Sequence, residues 1–324
     1  MTFAWPDRPR RVVVTGMGAV TSLGTDVAST WAGLVAGRSG ITGVTSFDPS
    51  RLDSRIAGEV RDFDPSDVLD RKEIRRTDRY IQFALVCARQ ALDDAGFPGR
   101  LEGELAARTG AIIGSGLGGV STLFDNVLLM AERGPSRISP FFIPMGIANV
   151  GSGQVAIATG ALGPNFATVS ACATGGHAIG EAWETIRRGD ADVMLAGGGE
   201  AGIHEAIMGG FASMKALSTR NDDPAGASRP FDRGRDGFVA GEGGGVLVLE
   251  ALEHAEARGA MPLAELAGYA SARCGPPGVR SRKPASSRRI STTSTPTRRP
   301  PTRATRRSSR RSARSSATTP RRCR

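Results

Sequence analysis

Histidine, cysteine and aromatic residues are all scarce in this sequence of 324 residues. The three histidines, His177, His204 and His254, lie far apart along the chain. The four cysteines, Cys87, Cys172, Cys274 and Cys323, have neither paired nor metal-ligand spacing, which argues against a disulfide framework or a zinc site. Twelve Phe, three Trp and two Tyr are too few for a surface that stacks single-stranded nucleic acid. No apolar run approaches the ~20 residues of a membrane span, and the opening MTFAWPDRPRR has no signal-peptide core. A reducing cytoplasm is the expected location, with no membrane partner. Acidic residues, finally, are missing altogether from Arg273 to Arg324.

That last absence divides the chain. Residues 273–324 hold 17 of the 42 basic residues and none of the 32 acidic ones, so residues 1–272 keep 25 basic residues and a net charge of −7 within a whole of +10. The first part is long enough for a sizeable core, since single domains run to ~250 residues. The second contains 18 Ser/Thr and 7 Pro, with Val279 and Ile290 its only large aliphatics. It cannot bury enough apolar surface to offset its chain entropy, so disorder is expected there. Seventeen positive charges would hold phosphate backbones in low salt. Without aromatics or a repeated Arg-Gly-Gly unit, however, the tail predicts non-specific adhesion rather than a specific nucleic-acid partner.

Within the first part, apolar periodicity alternates between strand and helix. Arg11–Val14 reads as a buried strand ending in a glycine turn at Thr15–Gly18, followed by a helix over Val27–Ala36. Arg79–Ala95 places Ile81, Leu85, Ala88 and Leu92 on one helical face and is closed by Gly96 and Pro98. Further strands are expected at Ala111–Gly114, Ala167–Ser170, Val193–Ala196 and Val246–Glu250, with a helix over Gly175–Arg187. Such alternation predicts an α/β fold whose sheet is covered on both faces.

The strongest chemical signal is Thr168-Val-Ser-Ala-Cys172-Ala-Thr-Gly-Gly-His177, a strand passing through a tight turn into a helix. A cysteine in the first helical turn meets unpaired backbone N–H groups and the helix dipole, which favour a negatively charged sulfur. Small neighbours would let a substrate carbonyl approach, and the Cys172 N–H could serve an oxyanion. The alternative is a buried structural cysteine, the reading that fits Cys87 on its helix. His177 lies about 140° around a helix from Cys172 and is poorly placed as its base; a structural or surface role suits it better. His254, in EALEHAEARG, reads as part of an exposed, charged helix face. The glycine runs Gly16–Gly18, Gly114–Gly119 and Gly197–Gly199 lack the endings of nucleotide-binding loops and read as close strand–helix packing. Arg71, Lys72, Arg75 and Arg76 have the spacing of one basic helix face, either merely solvated or suited to steering an acidic partner.

RRVVVTGMGAVTSLG, GSGLGGVSTL, RISPFFIPMGIANV, VSACATGGHAIGEAWETIRRGDADVMLAGG and LSTRNDDPAGASRPFDRGRDGFVAGEGGGVLVLE together resemble the type II β-ketoacyl-[acyl-carrier-protein] synthases, in particular the ketosynthase II kind of bacterial fatty acid synthesis. The likeness runs in unbroken order from residue 11 to about 270. The resemblance implies a thiolase-like fold, layered α/β/α/β/α in two similar halves, of which residues 1–272 would supply the first half and the start of the second. It implies a homodimer with acyl carrier protein as partner. No cofactor or metal is expected, the substrates being carried on the carrier's phosphopantetheine. Cys172 would hold the acyl group as a thioester, and decarboxylated malonyl-carrier protein would then attack it. Leu117 and Phe211 would line the acyl tunnel, Phe142 would reach the partner subunit's tunnel, and Arg71, Lys72, Arg75 and Arg76 would lie near the carrier-docking region. A catalytically dead carrier-binding paralogue is the alternative, and the presence of Cys172 counts against it.

The family also carries histidines in an Asn-Ala-His-Gly-Thr and a Lys-x-x-x-Gly-His motif and a C-terminal Gly-Phe-Gly-Gly loop, none of which occurs in this sequence. The Arg/Ser/Thr/Pro composition after residue 272 resembles GC-rich DNA translated out of frame. Ile290–Pro301, ISTTSTPTRRPP, permits I-D-Y-V-N-A-H-A-T-S-T when translation starts at the last base of the Ile290 codon. The histidine codon then straddles Pro296 and Thr297. A frameshift near Arg273 is therefore expected, together with impaired condensation by this chain; gene sequence that cannot spell the motif in the shifted frame would refute it.

Overall fold

The strands are β1 (Val12–Val20), β2 (Thr42–Gly43), β3 (Ile56–Ala57), β4 (Thr109–Gly114), β5 (Asn165–Phe166), β6 (Val193–Glu200), β7 (Gly243–Ala251) and β8 (Ala264–Glu265). The helices are α1 (Val27–Val35), α2 (Arg71–Ile74), α3 (Arg79–Asp94), α4 (Gly103–Ala107), α5 (Val120–Arg133), α6 (Phe142–Gly146), α7 (Val150–Thr159), α8 (Thr174–Arg187), α9 (Glu205–Ser213) and α10 (Leu252–Ala257). These come from a computed structural model that describes residues 9–270. The boundary expected at 272/273, and the tail with its frameshift reading, lie outside the described residues.

Six strands form one sheet in the order β5-β4-β6-β7-β1-β8. Strands β5, β4 and β6 are parallel, whereas β7 runs antiparallel to both β6 and β1. Alternate side chains feed two cores, as the period of two requires. Ala111, Ile113, Val193, Leu195, Val246 and Val248 pack with α3 and α7 on one face. Ile112, Met194, Ala196, Leu249 and Ala251 pack with Ala178, Ala182 and Ile186 of α8 on the other. Because both faces are covered, the strands read in sequence as continuous apolar runs rather than alternating ones. The result is a thiolase-like α/β arrangement of three layers. A smaller core around Val44, Ala57, Ile203, Met208 and Leu217 joins the β2–β3 ribbon to α9. Among the described residues no helix is long and apolar enough to cross a membrane.

Three local expectations need correction. The glycine turn at Thr15–Gly18 is instead the middle of β1, which continues to Val20 past a bulge at Thr15. The glycines are there because α3 lies directly against the strand: a Cβ on Gly16 would run into the Ala91 carbonyl, and one on Gly18 into that of Cys87. The strand expected over Ala167–Ser170 is not there; the nearest strand is the two-residue β5, Asn165–Phe166, just before it. Beyond it the chain is claimed by Thr174, whose hydroxyl accepts from the Ser170 N–H (2.8 Å) and whose carbonyl accepts from the Thr168 hydroxyl (2.9 Å). The basic helix face is also absent. α2 is a single turn, capped by Asp70 and Glu73, and Arg75 already stands at its C-terminal end. Helices α1, α3 and α8 fall where the periodicity puts them, α3 starting at the Asp78 cap and followed by Gly96 in the left-handed region (φ +72°).

Candidate active site

Parallel strands β4 and β6 end side by side at Gly114 and Glu200, and the chain leaves both into loops at their carboxyl ends. That edge is where open α/β sheets commonly hold ligands. A cavity of about 530 Å³ opens there, walled by Leu117, Ile179, Ile207, Phe211 and Phe238, with Cys172 on its surface. Phe211 and Phe238 meet edge to face, with centroids 5.2 Å apart. The floor is glycine, and for steric reasons: a Cβ on Gly114 would collide with the Thr174 methyl, and one on Gly198 would press on the Gly114 carbonyl at 2.9 Å.

Cys172 occupies a 3-10 turn, Ala171–Ala173, that runs straight into α8 at Thr174. The preceding Ala171 has φ +51°, a left-handed conformation that costs a non-glycine residue energy and persists only where the surroundings enforce it. Here the enforcement comes from the two Thr174 hydrogen bonds on either side of the turn. Cys172 is exposed as a result, whereas Cys87 is fully buried against β1 and β7 and burial pushes its thiol up to about 12. The two cysteines thus divide as their sequence contexts suggest, one open to a cavity and one structural.

None of the histidines lines the cavity. His177 Nδ1 lies 2.6 Å from the Ser170 hydroxyl and its ring meets Tyr269 edge to face. His204 caps α9 by accepting from the Ala206 N–H (3.2 Å) and stacks on Phe124. His254 is not on an exposed face. Its Nδ1 is 2.5 Å from Oε1 of Glu250, a fully buried carboxylate that also receives Arg258 (2.7 and 2.8 Å) and the Thr15 hydroxyl (2.9 Å). The helix pattern of α10 conceals this because the partner strand carries the carboxylate.

Leu117 and Phe211 both reach the cavity; Phe142, half-buried at the start of α6, does not line it. Arg71, Lys72, Arg75 and Arg76 are all exposed, and the Arg76 guanidinium lies 4.8 Å over the Phe141 ring. Sequence reasoning missed Ser115, Ile207, Phe238 and above all Glu200. The signal for Glu200 was an acidic residue closing an otherwise apolar strand. Its Oε2 accepts from the Gly116 N–H (2.7 Å) and its Oε1 from the Ser115 hydroxyl (3.0 Å). Burial raises this carboxyl, although hydrogen bonding from Gly116, Ser115 and Leu117 pulls against that shift.

Comparisons with known proteins place the chain in a family. The 3-oxoacyl-[acyl-carrier-protein] synthase 2 of Synechocystis sp. is 51% identical over 262 residues, covering 81% of this chain and 62% of that protein. The protein of the same name from Coxiella burnetii is 50% identical over 260 residues, with 80% and 62% covered. The chain thus spans 62% of the length of these curated relatives. Among solved structures, a β-ketoacyl synthase from Burkholderia phymatum superposes with a TM-score of 0.72 at 37% identity, over 79% of this chain and 62% of that one. A type II polyketide ketosynthase, solved in complex with its acyl-carrier protein, gives 0.71 at 33% identity, over 81% and 63%. The profile described as "Beta-ketoacyl synthase, N-terminal domain" matches residues 9–255, most of the chain, so the chain belongs to the β-ketoacyl synthase family.

Proposed function

We propose that this chain carries the acyl-accepting site of a β-ketoacyl-[acyl-carrier-protein] synthase of fatty acid elongation, with Cys172 as its nucleophile. The observation that carries this reading is the position of Cys172: exposed on a strained turn at the head of α8, at the wall of a 530 Å³ apolar cavity. The Cys172 sulfur attacks the carbonyl of an acyl thioester held on the phosphopantetheine of acyl carrier protein. A C–S bond forms to Cys172 and the carrier thiol leaves with the proton. The Cys172 N–H donates to the developing oxyanion, and Leu117 and Phe211 hold the acyl chain. In the second step malonyl-carrier protein loses CO2 and its carbanion attacks the Cys172 thioester carbonyl; the new C–C bond forms as the C–S bond to Cys172 breaks, leaving the β-ketoacyl group on the carrier and returning the Cys172 sulfur as thiolate. His177, His204 and His254 are engaged elsewhere, and none faces the cavity. Among the described residues no histidine is placed to polarise the malonyl thioester carbonyl, so condensation by these residues alone is expected to be weak.

The carrier is an acidic protein steered to Arg71, Lys72, Arg75 and Arg76, which are all exposed. A second copy of the chain completes the assembly, with Phe142 reaching the partner's cavity. The apolar side chains left open along α5, α6 and the β5 edge, such as Leu128 (62% exposed), Ile143 (58%) and Val169 (60%), support such pairing. The reaction takes place in the reducing cytoplasm.

The test is to incubate the purified chain with acyl-carrier protein bearing a medium-length acyl group and to read its intact mass. An acyl adduct that maps to Cys172 and vanishes in Cys172→Ala is the expected result. No adduct, or an adduct that persists in Cys172→Ala, overturns the reading. Normal turnover with malonyl-carrier protein would refute the expected weakness in condensation.

A further inference from the structure

Glu200 touches no reacting atom, yet it is the residue on which one wall of the cavity is built. After β4 the chain turns through Ser115–Gly118, and three of the groups that shape this turn meet at two side chains. Glu200 Oε2 accepts from the Gly116 N–H at 2.7 Å, and Glu200 Oε1 accepts from the Ser115 hydroxyl at 3.0 Å. The Ser115 Oγ in turn accepts from the Gly118 N–H at 2.9 Å. Ser115 is 2% exposed, which shields its bond to the Gly118 N–H, and the two bonds to Glu200 are partly buried. Gly118 (φ +70°) abuts the Gly146 carbonyl, where a Cβ would sit 2.6 Å away, and this pins the far end of the turn. Leu117, projected from the middle of this turn, is 44% exposed into the cavity and also touches the opposite wall: a Cβ on Gly202 would lie 3.2 Å from its Cδ1.

We infer that Glu200 is a positioning residue for acyl-chain length: through Ser115 and the Gly116 N–H it fixes where Leu117 stands and so how deep a chain can enter beside Cys172. This rests on the acyl-pocket reading above. Two further observations support it. Glu200 belongs to β6, the strand hydrogen-bonded to β4, so the residue that braces the loop is rigidly registered with the strand that launches it, Gly114 opposite Gly198. Among the described residues, no arginine or lysine pairs with Glu200. Its contacts are those of a brace rather than of a salt bridge, and charge-assisted bonds to N–H and O–H groups are the strong kind. Replacing the carboxylate by an amide puts an NH2 group against one of two donors, leaving the turn held by one good bond instead of two.

The experiment uses the full chain and a series of N-alkyl iodoacetamides from methyl to dodecyl, following the alkylation rate of Cys172 by peptide mass spectrometry. Each rate is divided by that of iodoacetamide itself, which needs no pocket. The unsubstituted chain should show a rise with chain length and then a cut-off. In Glu200→Gln the normalised rate for chains at the cut-off should change by about tenfold, the scale of one lost buried charge-assisted bond. The bare iodoacetamide rate should stay within about twofold. Ser115→Ala, which removes the same link from the other side, should shift the profile in the same direction, and Glu200→Asp should restore part of it. A wild-type profile in both Glu200→Gln and Ser115→Ala, each with an unchanged circular dichroism spectrum, overturns the inference. A flat profile in the unsubstituted chain would instead refute the acyl pocket itself, and the inference with it.

Discussion

Replacing Arg258 by methionine should unsettle the fold strongly. Arg258 is 24% exposed, but it sends two charge-assisted bonds to Glu250, which sits on β7 with no exposed surface at all. Its guanidinium also donates to the Ala95 carbonyl (2.8 Å) and lies 4.1 Å over the Phe97 ring. Methionine keeps an apolar stem over Phe97 and removes the charge, leaving a buried carboxylate with only His254 and Thr15. Breaking a buried pair from one side costs about 3–5 kcal/mol, mostly the penalty of the stranded charge. Removing both charges in Glu250→Leu/Arg258→Met should therefore cost less than Arg258→Met alone, so the two substitutions couple by about 2 kcal/mol or more. The pH dependence has a definite sign. Burial alone would raise the Glu250 carboxyl, but Arg258, His254 and Thr15 outweigh it and hold it below its ordinary value. A depressed folded-state pKa contributes stability above the unfolded value near ~4.3 and loses it as pH falls through the folded value. In Arg258→Met burial prevails and the carboxyl moves up, so the gap between variant and parent should narrow as the pH is lowered from 7 towards ~4. Urea denaturation at a series of pH values measures all of this. A cost below about 1 kcal/mol for Arg258→Met, or a double variant that costs the sum of the singles, refutes the reasoning.

Two other outcomes follow from the packing. Gly18→Ala places a methyl group against the Cys87 carbonyl, which is helix backbone and cannot rotate away, so β1 and α3 must separate. A loss of about 2 kcal/mol or more in urea denaturation is expected, as for an overpacked core, and a loss under about 0.5 kcal/mol would show that the two elements are not in direct contact. Cys87, buried and with its thiol pushed up to about 12, should resist iodoacetamide at pH 8 until the chain is unfolded, while Cys172 reacts in the folded state. Peptide mapping with and without denaturant checks this, and early alkylation of Cys87 would contradict the burial of α3 against the sheet.

Much of the scaffold was legible because its signals are local. The Asp78 cap, the apolar face of Ile81, Leu85, Ala88 and Leu92 and the closing Gly96 all belong to one helix and need no partner to be read. The same holds for Cys172, whose turn-to-helix setting lies within a few consecutive residues. Where the sequence misled, a contact outside the local apolar pattern had intervened, sometimes far along the chain and sometimes only a few residues away. Gly16 and Gly18 suggest a turn, yet they serve α3, some seventy residues later. Thr168–Ser170 has the composition of a strand, yet Thr174 claims its polar groups. His254 lies in a charged helical stretch, but the fully buried Glu250 opposite it decides its place.

The sequence by itself determined the α/β class, the covered sheet, the family and the cysteine proposed as nucleophile, because hydrophobic period, caps and short motifs are properties of neighbours along a chain. Only the tertiary structure decided which side chains share the cavity. Leu117, Cys172, Glu200, Phe211 and Phe238 come from separate loops, strands and helices, and the register of β4 against β6 and the steric need for bare backbone at Gly114 and Gly198 bring them together. The sequence marks Glu200 only as an acidic end to an apolar strand; what it holds could not be read there, since the N–H and hydroxyl lie more than eighty residues away.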